Sequence, residues 1–180
     1  TYALLPWLDD PVYILKRELM WIPLFGWYAM KQRMIPVNRG ARGRIMAAVM
    51  ERTKQEMLSG RQLIIYPEGT RRPPGAVPHY KYGIARIYRD LQVPVVPVVM
   101  HPGLFWPRTT TKRYPGHFKV RILQAIQPGL DPDTFFETLT GQLESASDAL
   151  LIETARDNPH VPLPQTARKR IAELKGASSS

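Results

Sequence analysis

The stretch QLIIYPEGTRRPPG, residues 62–75, combines the clearest structural signal in this chain with its clearest chemical one. β-Favouring residues over 62–66 predict a buried strand, which ends at Pro67 because proline has no backbone N–H to donate to a strand ladder. An acid, a glycine, a hydroxyl and two arginines follow at once, over 68–72. Ligands of α/β proteins bind beyond the carboxyl ends of strands, so the sequence predicts a binding loop at this point.

The segments on either side of this stretch alternate between strand and helix signals. Further strands are predicted at 34–40, 93–100 and 117–122, and helices at 41–60, 81–91, 131–157 and 166–175. The longest of these helices has clear ends, because Asp131 supplies an N-cap, Pro132 suits the first helical position and Pro159 stops it. Strands separated by helices indicate an α/β fold, a single domain with a mixed, largely parallel sheet flanked by helices.

Length and composition set broad limits on the class of protein. A chain of 180 residues suits one domain of ordinary size. We predict that this domain covers 1–157, and that 158–180 form a linker, a short basic helix and a flexible tail. A formal net charge of +10 favours anionic partners. The absence of cysteine excludes disulfides, thiol nucleophiles and cysteine-based zinc sites.

An uncharged aromatic segment, LMWIPLFGWYAM, occupies residues 19–30 between basic flanks. Its twelve residues are too few to cross a bilayer, which takes about 20. Aromatic side chains between basic residues suit the headgroup layer, so we predict membrane contact by Trp21, Phe25, Trp27 and Tyr28. The alternative is a segment that packs inside the protein.

The loop after the predicted strand carries groups suited to a phosphorylated ligand. Gly69 allows close backbone approach, and Arg71 can make a bidentate contact with phosphate. Glu68 can accept a hydroxyl proton or hold a hydroxyl by hydrogen bond. Thr70 is expected to stabilise the turn by bonding its hydroxyl to the backbone. From these residues alone, a capped turn with a solvated ion pair is the favoured alternative, because exposed charged loops are common.

Several sequence blocks, in order, resemble one enzyme family. YPEGTRR (66–72) is similar to the Phe-Pro-Glu-Gly-Thr-Arg block of the glycerolipid acyltransferases typified by 1-acyl-glycerol-3-phosphate acyltransferase. IPVNRG (35–40), VPVVPVVM (93–100), KRELMWIPLFGW (16–27) and YKYG (80–83) resemble other blocks of that family. The resemblance runs from about residue 4 to about residue 107 and implies an acyltransferase domain.

The resemblance also implies which residues bind substrate. Arg39 and Lys81 would hold the phosphate of an acceptor lipid, and three loop residues would position its glycerol and phosphate, namely Glu68, Gly69 and Arg71. The full set of implied binding residues is Arg39, Glu68, Gly69, Thr70, Arg71 and Lys81. A lysine at the start of a helix is poorly placed for the helix dipole, so a bound anion explains Lys81 better than a solvated surface role.

Two departures from the family pattern stand out. Asn38 occupies a position where the family usually has Asp, so an ion pair inside that block is lost. The family's catalytic block, a His separated by four residues from an acid, is missing. The four histidines, His79, His101, His117 and His160, all lack such an acid and are interpreted as structural or surface residues. We expect the block upstream of Thr1, with this chain the downstream part of a longer protein, so no catalytic residue is assigned here.

The resemblance implies transfer of a fatty acyl group from coenzyme A or acyl carrier protein to the hydroxyl of lysophosphatidate, in phospholipid synthesis. No cofactor and no metal are expected. The expected location is the cytoplasmic face of the bacterial inner membrane, peripheral or anchored by the upstream part. Another lysophospholipid, glycerol 3-phosphate or an amino-lipid could be the acceptor instead, and a non-catalytic membrane-binding remnant is a further alternative. Nucleic-acid binding is disfavoured, because zinc-finger spacing and RNA-binding motifs are absent.

Overall fold

The structure, a computed structural model, describes residues 8–38, 44–107 and 110–177. Its contacts divide the chain into two compact units, Thr1–Tyr66 and Pro67–Ser180. The α/β class predicted from the sequence is confirmed, but the chain is organised as two compact units where a single one was expected. The predicted binding loop opens the second unit.

The first unit contains a three-stranded parallel sheet with the strand order β2-β1-β3. Its elements are β1 (Pro11–Lys16), a 3₁₀ helix (Arg17–Trp21), α1 (Phe25–Lys31), β2 (Ile35–Val37), α2 (Arg44–Leu58) and β3 (Gln62–Ile64). Ile14 is in register with Ile35, and Val12 with Leu63. The central strand β1 was not predicted. The strand predicted over 62–66 ends earlier, at Ile64, and Leu63 and Ile64 are half-buried where full burial was expected.

A buried arginine joins several elements of the first unit. Arg61 is 4% exposed, and its guanidinium lies 2.9 Å from a carboxylate oxygen of Glu56 and 2.9 Å from one of Asp10. The same group donates to the backbone carbonyls of Pro11 and Gln32. These bonds connect the end of α2 to β1 and to the residue after α1. The charge is satisfied on several sides, as burial of an ion requires.

The second unit contains two antiparallel strands and three helices. Its elements are α3 (Gly83–Leu91), β4 (Val98–Met100), a 3₁₀ helix (Pro102–Leu104), β5 (Val120–Ile122), α4 (Pro132–Asp157) and α5 (Gln165–Ala177). The predicted limits of α4 are confirmed, with Asp131 accepting hydrogen bonds from the N–H groups of Asp133 and Thr134. Packing of α3 on α4 centres on Tyr88 and Phe135, whose rings stack 3.8 Å apart.

The strands form two sheets, whereas the sequence predicted one mixed sheet. Prolines explain the shortness of β4, since Pro94 and Pro97 cannot donate to a ladder. Full pairing over 93–100 is limited to Val98–Met100, and Val95 makes only an isolated bridge with Ile126.

The segment predicted as a linker after residue 157 packs into the second unit. Val161 is 5% exposed and Ala167 is fully buried, in one cluster with Leu104, Phe105 and Leu151. Tertiary contacts thus bury apolar side chains in the segment HVPLPQ (160–165), which the sequence predicts as a linker. The division predicted from the sequence, a domain over 1–157 followed by a separate segment over 158–180, stays a prediction.

Candidate functional site

The loop Pro67–Lys81 is closed by a backbone hydrogen bond at its base. The N–H of Lys81 donates to the carbonyl of Pro67 at 2.8 Å. This bond brings the start of the loop, with Glu68, next to its end, immediately before α3. Five of the six residues predicted to bind substrate therefore belong to one closed loop. The sixth, Arg39, lies outside the described residues.

Glu68 is an unusual carboxylate within this loop. Its side chain is 29% exposed, and its Oε2 atom lies 3.4 Å from Nε of Arg72. This oxygen is buried and accepts no hydrogen bond from the residues that the structure describes. Burial raises the pKa of Glu68 above its ordinary value, although the nearby charges of Arg72 and His79 act in the opposite direction. The carboxylate has unused capacity to accept a hydrogen bond.

The two neighbouring arginines differ in their surroundings. Arg72 pairs with Glu68, and its Nη1 donates to the carbonyl of Val77 at 2.8 Å. The exposed side chains of Arg71 and Lys81 make no ion pair or side-chain hydrogen bond with any residue in the described ranges. Two cations are thus free to bind an anion, while the third stabilises the loop. The role of Arg72 was missed from the sequence, although its i,i+4 spacing from Glu68 was a usable signal.

The tip of the loop start is open. Gly69 has a φ of +65°, a backbone conformation that favours glycine, and a Cβ built on it would meet no atom within 4 Å. Thr70 is exposed, and its hydroxyl bonds to no backbone group in the part of the chain that the structure describes. The stabilising turn bond expected for Thr70 is therefore not formed, and its hydroxyl is available to a ligand.

Two tyrosines flank Lys81. Tyr80 is half-buried, and burial together with the charges of Glu144, Glu68 and Asp148 raises its pKa to about 12. Its hydroxyl therefore stays protonated at physiological pH. Tyr82 is exposed and donates its hydroxyl to Asp133, beyond the N-cap of α4. Sequence reasoning did not anticipate the contact of the Tyr82 hydroxyl, because Asp133 is 51 positions away in the sequence.

The histidines lie in packing or surface positions. His101 is 8% exposed, and its Nε2 lies 2.9 Å from the carbonyl oxygen of Ser147. Burial lowers the pKa of His101 below its ordinary value. His160 is exposed and bonds to the carbonyl of Pro115, and the carbonyl of His117 accepts from Asn158. None of these three contacts is the His–carboxylate pair that general-base catalysis uses.

The predicted membrane-contact residues lie in the first unit and divide into two groups. Trp21, Trp27 and Tyr28 are 81%, 73% and 54% exposed. Membrane contact stays a prediction for all four residues, but Phe25 is half-buried and packs against the cluster around Tyr13. Its position on the inner side of α1 is the physical reason, since one face of a short helix must cover the sheet. Across the described ranges, every helix is too short or too polar to cross a membrane.

Comparison with known proteins identifies the family to which this chain is similar. The Acyltransferase family matches residues 2–101, which include the loop and Lys81. A 1-acyl-sn-glycerol-3-phosphate acyltransferase of Pseudomonas aeruginosa is 25% identical over 154 residues, covering 86% of this chain and 58% of the relative. The alpha form of that enzyme from Mus musculus is 29% identical over 128 residues, covering 69% of this chain and 45% of the relative.

A solved structure has the same fold. The 1-acyl-sn-glycerophosphate (LPA) acyltransferase PlsC from Thermotoga maritima superposes with a TM-score of 0.68 at 24% identity, covering 82% of this chain and 60% of that chain. The present chain thus spans between 45% and 60% of the length of these relatives. The family match covers more than half of the chain itself and confirms the resemblance seen in its sequence blocks. The chain therefore belongs to the Acyltransferase family.

Proposed function

We propose that the full-length protein transfers a fatty acyl group from a thioester to the free hydroxyl of lysophosphatidate. The observation that carries this proposal is the closed loop Pro67–Lys81, which offers a partly buried carboxylate and two cations that pair with no described residue. The names of the relatives support it, because several are 1-acyl-sn-glycerol-3-phosphate acyltransferases.

The acceptor phosphate is the group that Arg71 and Lys81 bind. A dianionic phosphate is held well by two cations on a constrained loop, one of them able to make a bidentate contact. Gly69, which carries no side chain, lets the glycerol backbone approach the loop closely. Thr70 offers a further hydroxyl at the same edge. By resemblance Arg39 also contacts the phosphate.

Glu68 helps to position the glycerol of the acceptor. In the reaction, the acceptor hydroxyl oxygen forms an ester bond with the acyl carbon, the carbon–sulfur bond breaks and the thiol leaves. A general base takes the hydroxyl proton and returns a proton to the departing sulfur. That base is expected from the His-acid block of the family, which is not in this chain. Positioning by the loop lowers the barrier because the reacting hydroxyl is held in place.

The acyl donor is a thioester of coenzyme A or of acyl carrier protein. The proposed mechanism uses no cofactor and no metal. We further propose that Trp21, Trp27 and Tyr28 contact the membrane that contains the acceptor, at its cytoplasmic face. Three exposed aromatic side chains within eight residues, with Arg17 and Lys31 nearby, suit an interface with anionic headgroups.

An acceptor panel tests the function. Purified full-length protein is given a radiolabelled acyl thioester with lysophosphatidate, glycerol 3-phosphate, another lysophospholipid or monoacylglycerol. The proposal expects labelled phosphatidate and much less product from monoacylglycerol, which lacks phosphate. Faster acylation of a different phosphorylated acceptor would reassign the substrate. No acylation of any acceptor would overturn the enzymatic proposal and leave a membrane-binding role.

A further inference from the structure

Part of the loop Pro67–Lys81 contacts the start of helix α5. The hydroxyl of Thr166 donates to the carbonyl of Pro74 at 2.7 Å. Next to this bond, Gly75 has a φ of +76°, and a Cβ at this position would lie 2.6 Å from Cα of Ala167. Ala167 is fully buried. The loop backbone and the helix backbone are therefore in contact with no room for a side chain between them.

The same loop segment reaches the carboxylate of the site through Arg72. The guanidinium of Arg72 donates to the carbonyl of Val77 and lies 3.4 Å from Glu68. The N–H of Ala76 donates to the carbonyl of Pro73, which closes a turn within the segment. A continuous set of contacts thus runs from α5 through residues 73–77 and Arg72 to Glu68.

Helix α5 is itself held in place. Arg170 makes a two-point contact with Asp148 of α4, with nitrogen–oxygen distances of 2.9 Å and 2.6 Å. Ile171 packs against the buried cluster that contains Ala167 and Leu151. Bidentate arginine–carboxylate pairs fix orientation as well as distance. The start of α5 is therefore a rigid support for the loop.

We propose that Thr166 and Ala167 are positioning residues for acceptor binding, which hold segment 73–77 so that Arg72 keeps Glu68 in its place beside Arg71. The kinetic part of this inference, an effect on acceptor binding, rests on the proposed function. The structural part, support of the loop by α5, does not. It assigns a role to a helix that lies beyond the residues matched by the Acyltransferase family, 2–101. The C-terminal part of this chain then contributes to the site without touching substrate.

Hydrogen exchange on the full-length protein tests the structural step directly. In Thr166→Val the loop loses its bond to α5, and the N–H of Ala76 is expected to exchange about threefold to tenfold faster, the effect of one hydrogen bond. Thr166→Ser keeps the hydroxyl and should retain the wild-type rate. Thr154→Val is the matched control, because it also removes a hydroxyl bond to a carbonyl, that of Leu150, but in the middle of α4.

Kinetics test the positioning step. Thr166→Val is expected to raise KM for lysophosphatidate about threefold to tenfold, on the same hydrogen-bond scale, with KM for the acyl thioester unchanged. Thr166→Ser should restore KM, and Thr154→Val should leave it unchanged. Gly75→Ala should have the larger effect, because its Cβ forces the loop away from Ala167.

The outcomes separate this inference from the proposed function. Unchanged exchange at Ala76 in Thr166→Val, or exchange accelerated equally by Thr154→Val, would overturn the support by α5. Accelerated exchange with unchanged KM would overturn the positioning role. If the wild-type protein acylates no acceptor, the proposed function fails, whereas the exchange measurement still decides whether α5 holds the loop.

Discussion

Nε of Arg72 lies 3.4 Å from Oε2 of Glu68, so the two adjacent arginines, Arg71 and Arg72, have different roles. Because Arg72 is occupied by Glu68 and by the carbonyl of Val77, it has less freedom to bind a ligand. Arg71 has no such partner among the described residues. The pair therefore separates a loop-stabilising arginine from a phosphate-binding one, and this distinction can be measured.

Arg71→Ala should raise KM for lysophosphatidate about tenfold to a hundredfold, the value of one or two hydrogen bonds to a charged group. The effect should disappear with monoacylglycerol, which has no phosphate. Arg72→Ala should instead impair both acceptors alike, because it acts through the position of Glu68. Steady-state kinetics of the full-length variants with the two acceptors make the comparison. If both variants were impaired only with the phosphorylated acceptor, the separate roles of Arg71 and Arg72 would be contradicted.

Glu68→Gln should increase thermal stability at pH 7. Burial raises the pKa of Glu68 in the folded protein, so the folded state binds this proton more tightly than the unfolded state does. The stability of the wild-type protein therefore falls as pH rises from about 4.5 through the pKa of Glu68 in the folded state. Above that pKa the loss of stability stays constant. The gain in Tm of the glutamine variant should shrink as pH falls towards 4. A gain that does not change with pH would show that charge burial is not its cause.

His101→Gln should reduce the sensitivity of the protein to mild acid. Burial lowers the pKa of His101, so between the folded and unfolded pKa values the unfolded state binds more protons. Wild-type stability is therefore lost as pH falls below about 6.5, despite the nearby charge of Asp148 and the carbonyl of Ser147. Thermal unfolding between pH 7.5 and pH 5 reports the difference. His160→Gln, at an exposed position, is the control and should retain the wild-type slope.

Arg61→Met should destabilise the protein by about 3 kcal/mol, because the buried carboxylate of Glu56 loses its 2.9 Å contact with Arg61 and keeps a longer one, 3.7 Å, with Arg33. Adding Glu56→Gln should restore part of the loss, since the poorly compensated charge is then removed. Urea unfolding of the two variants measures both steps. Lys119→Ala, which breaks exposed ion pairs with Glu153 and Asp157, should have little effect. Equal destabilisation by both single variants would contradict the importance of burial.

Trp21→Ser combined with Trp27→Ser should weaken binding to vesicles of phosphatidylcholine and phosphatidylglycerol by at least about tenfold, because two large apolar surfaces are lost. Sedimentation with and without the anionic lipid measures it. Trp106→Ser is the matched control, since Trp106 is 65% exposed but lies in the second unit beneath Arg113. Phe25→Ala should lower Tm instead, because its ring packs inward. If the tryptophan double variant bound vesicles as well as the wild-type protein does, this surface would be excluded from membrane contact.

Local signals in the sequence determined helices α2 to α5 and the chemistry of the loop, whereas α1 was not predicted. The cap at Asp131 and the stop at Pro159 specify α4 almost to the residue, because capping depends on groups adjacent in the chain. Likewise Glu68, Gly69, Thr70 and Arg71 are consecutive, so their proximity needs no tertiary information. The family resemblance rested on the same short blocks.

Only the tertiary structure decided which groups are free. Arg71 and Arg72 look alike in the sequence, and their roles differ because the loop folds back to place Val77 and Glu68 around one of them. Phe25 reads like its aromatic neighbours but faces the sheet. The contact of Thr166 with Pro74 joins residues 92 positions apart, and no local pattern can encode such a pair. Burial and long-range hydrogen bonds depend on chain packing, so the sequence alone could identify the binding loop but not what holds it.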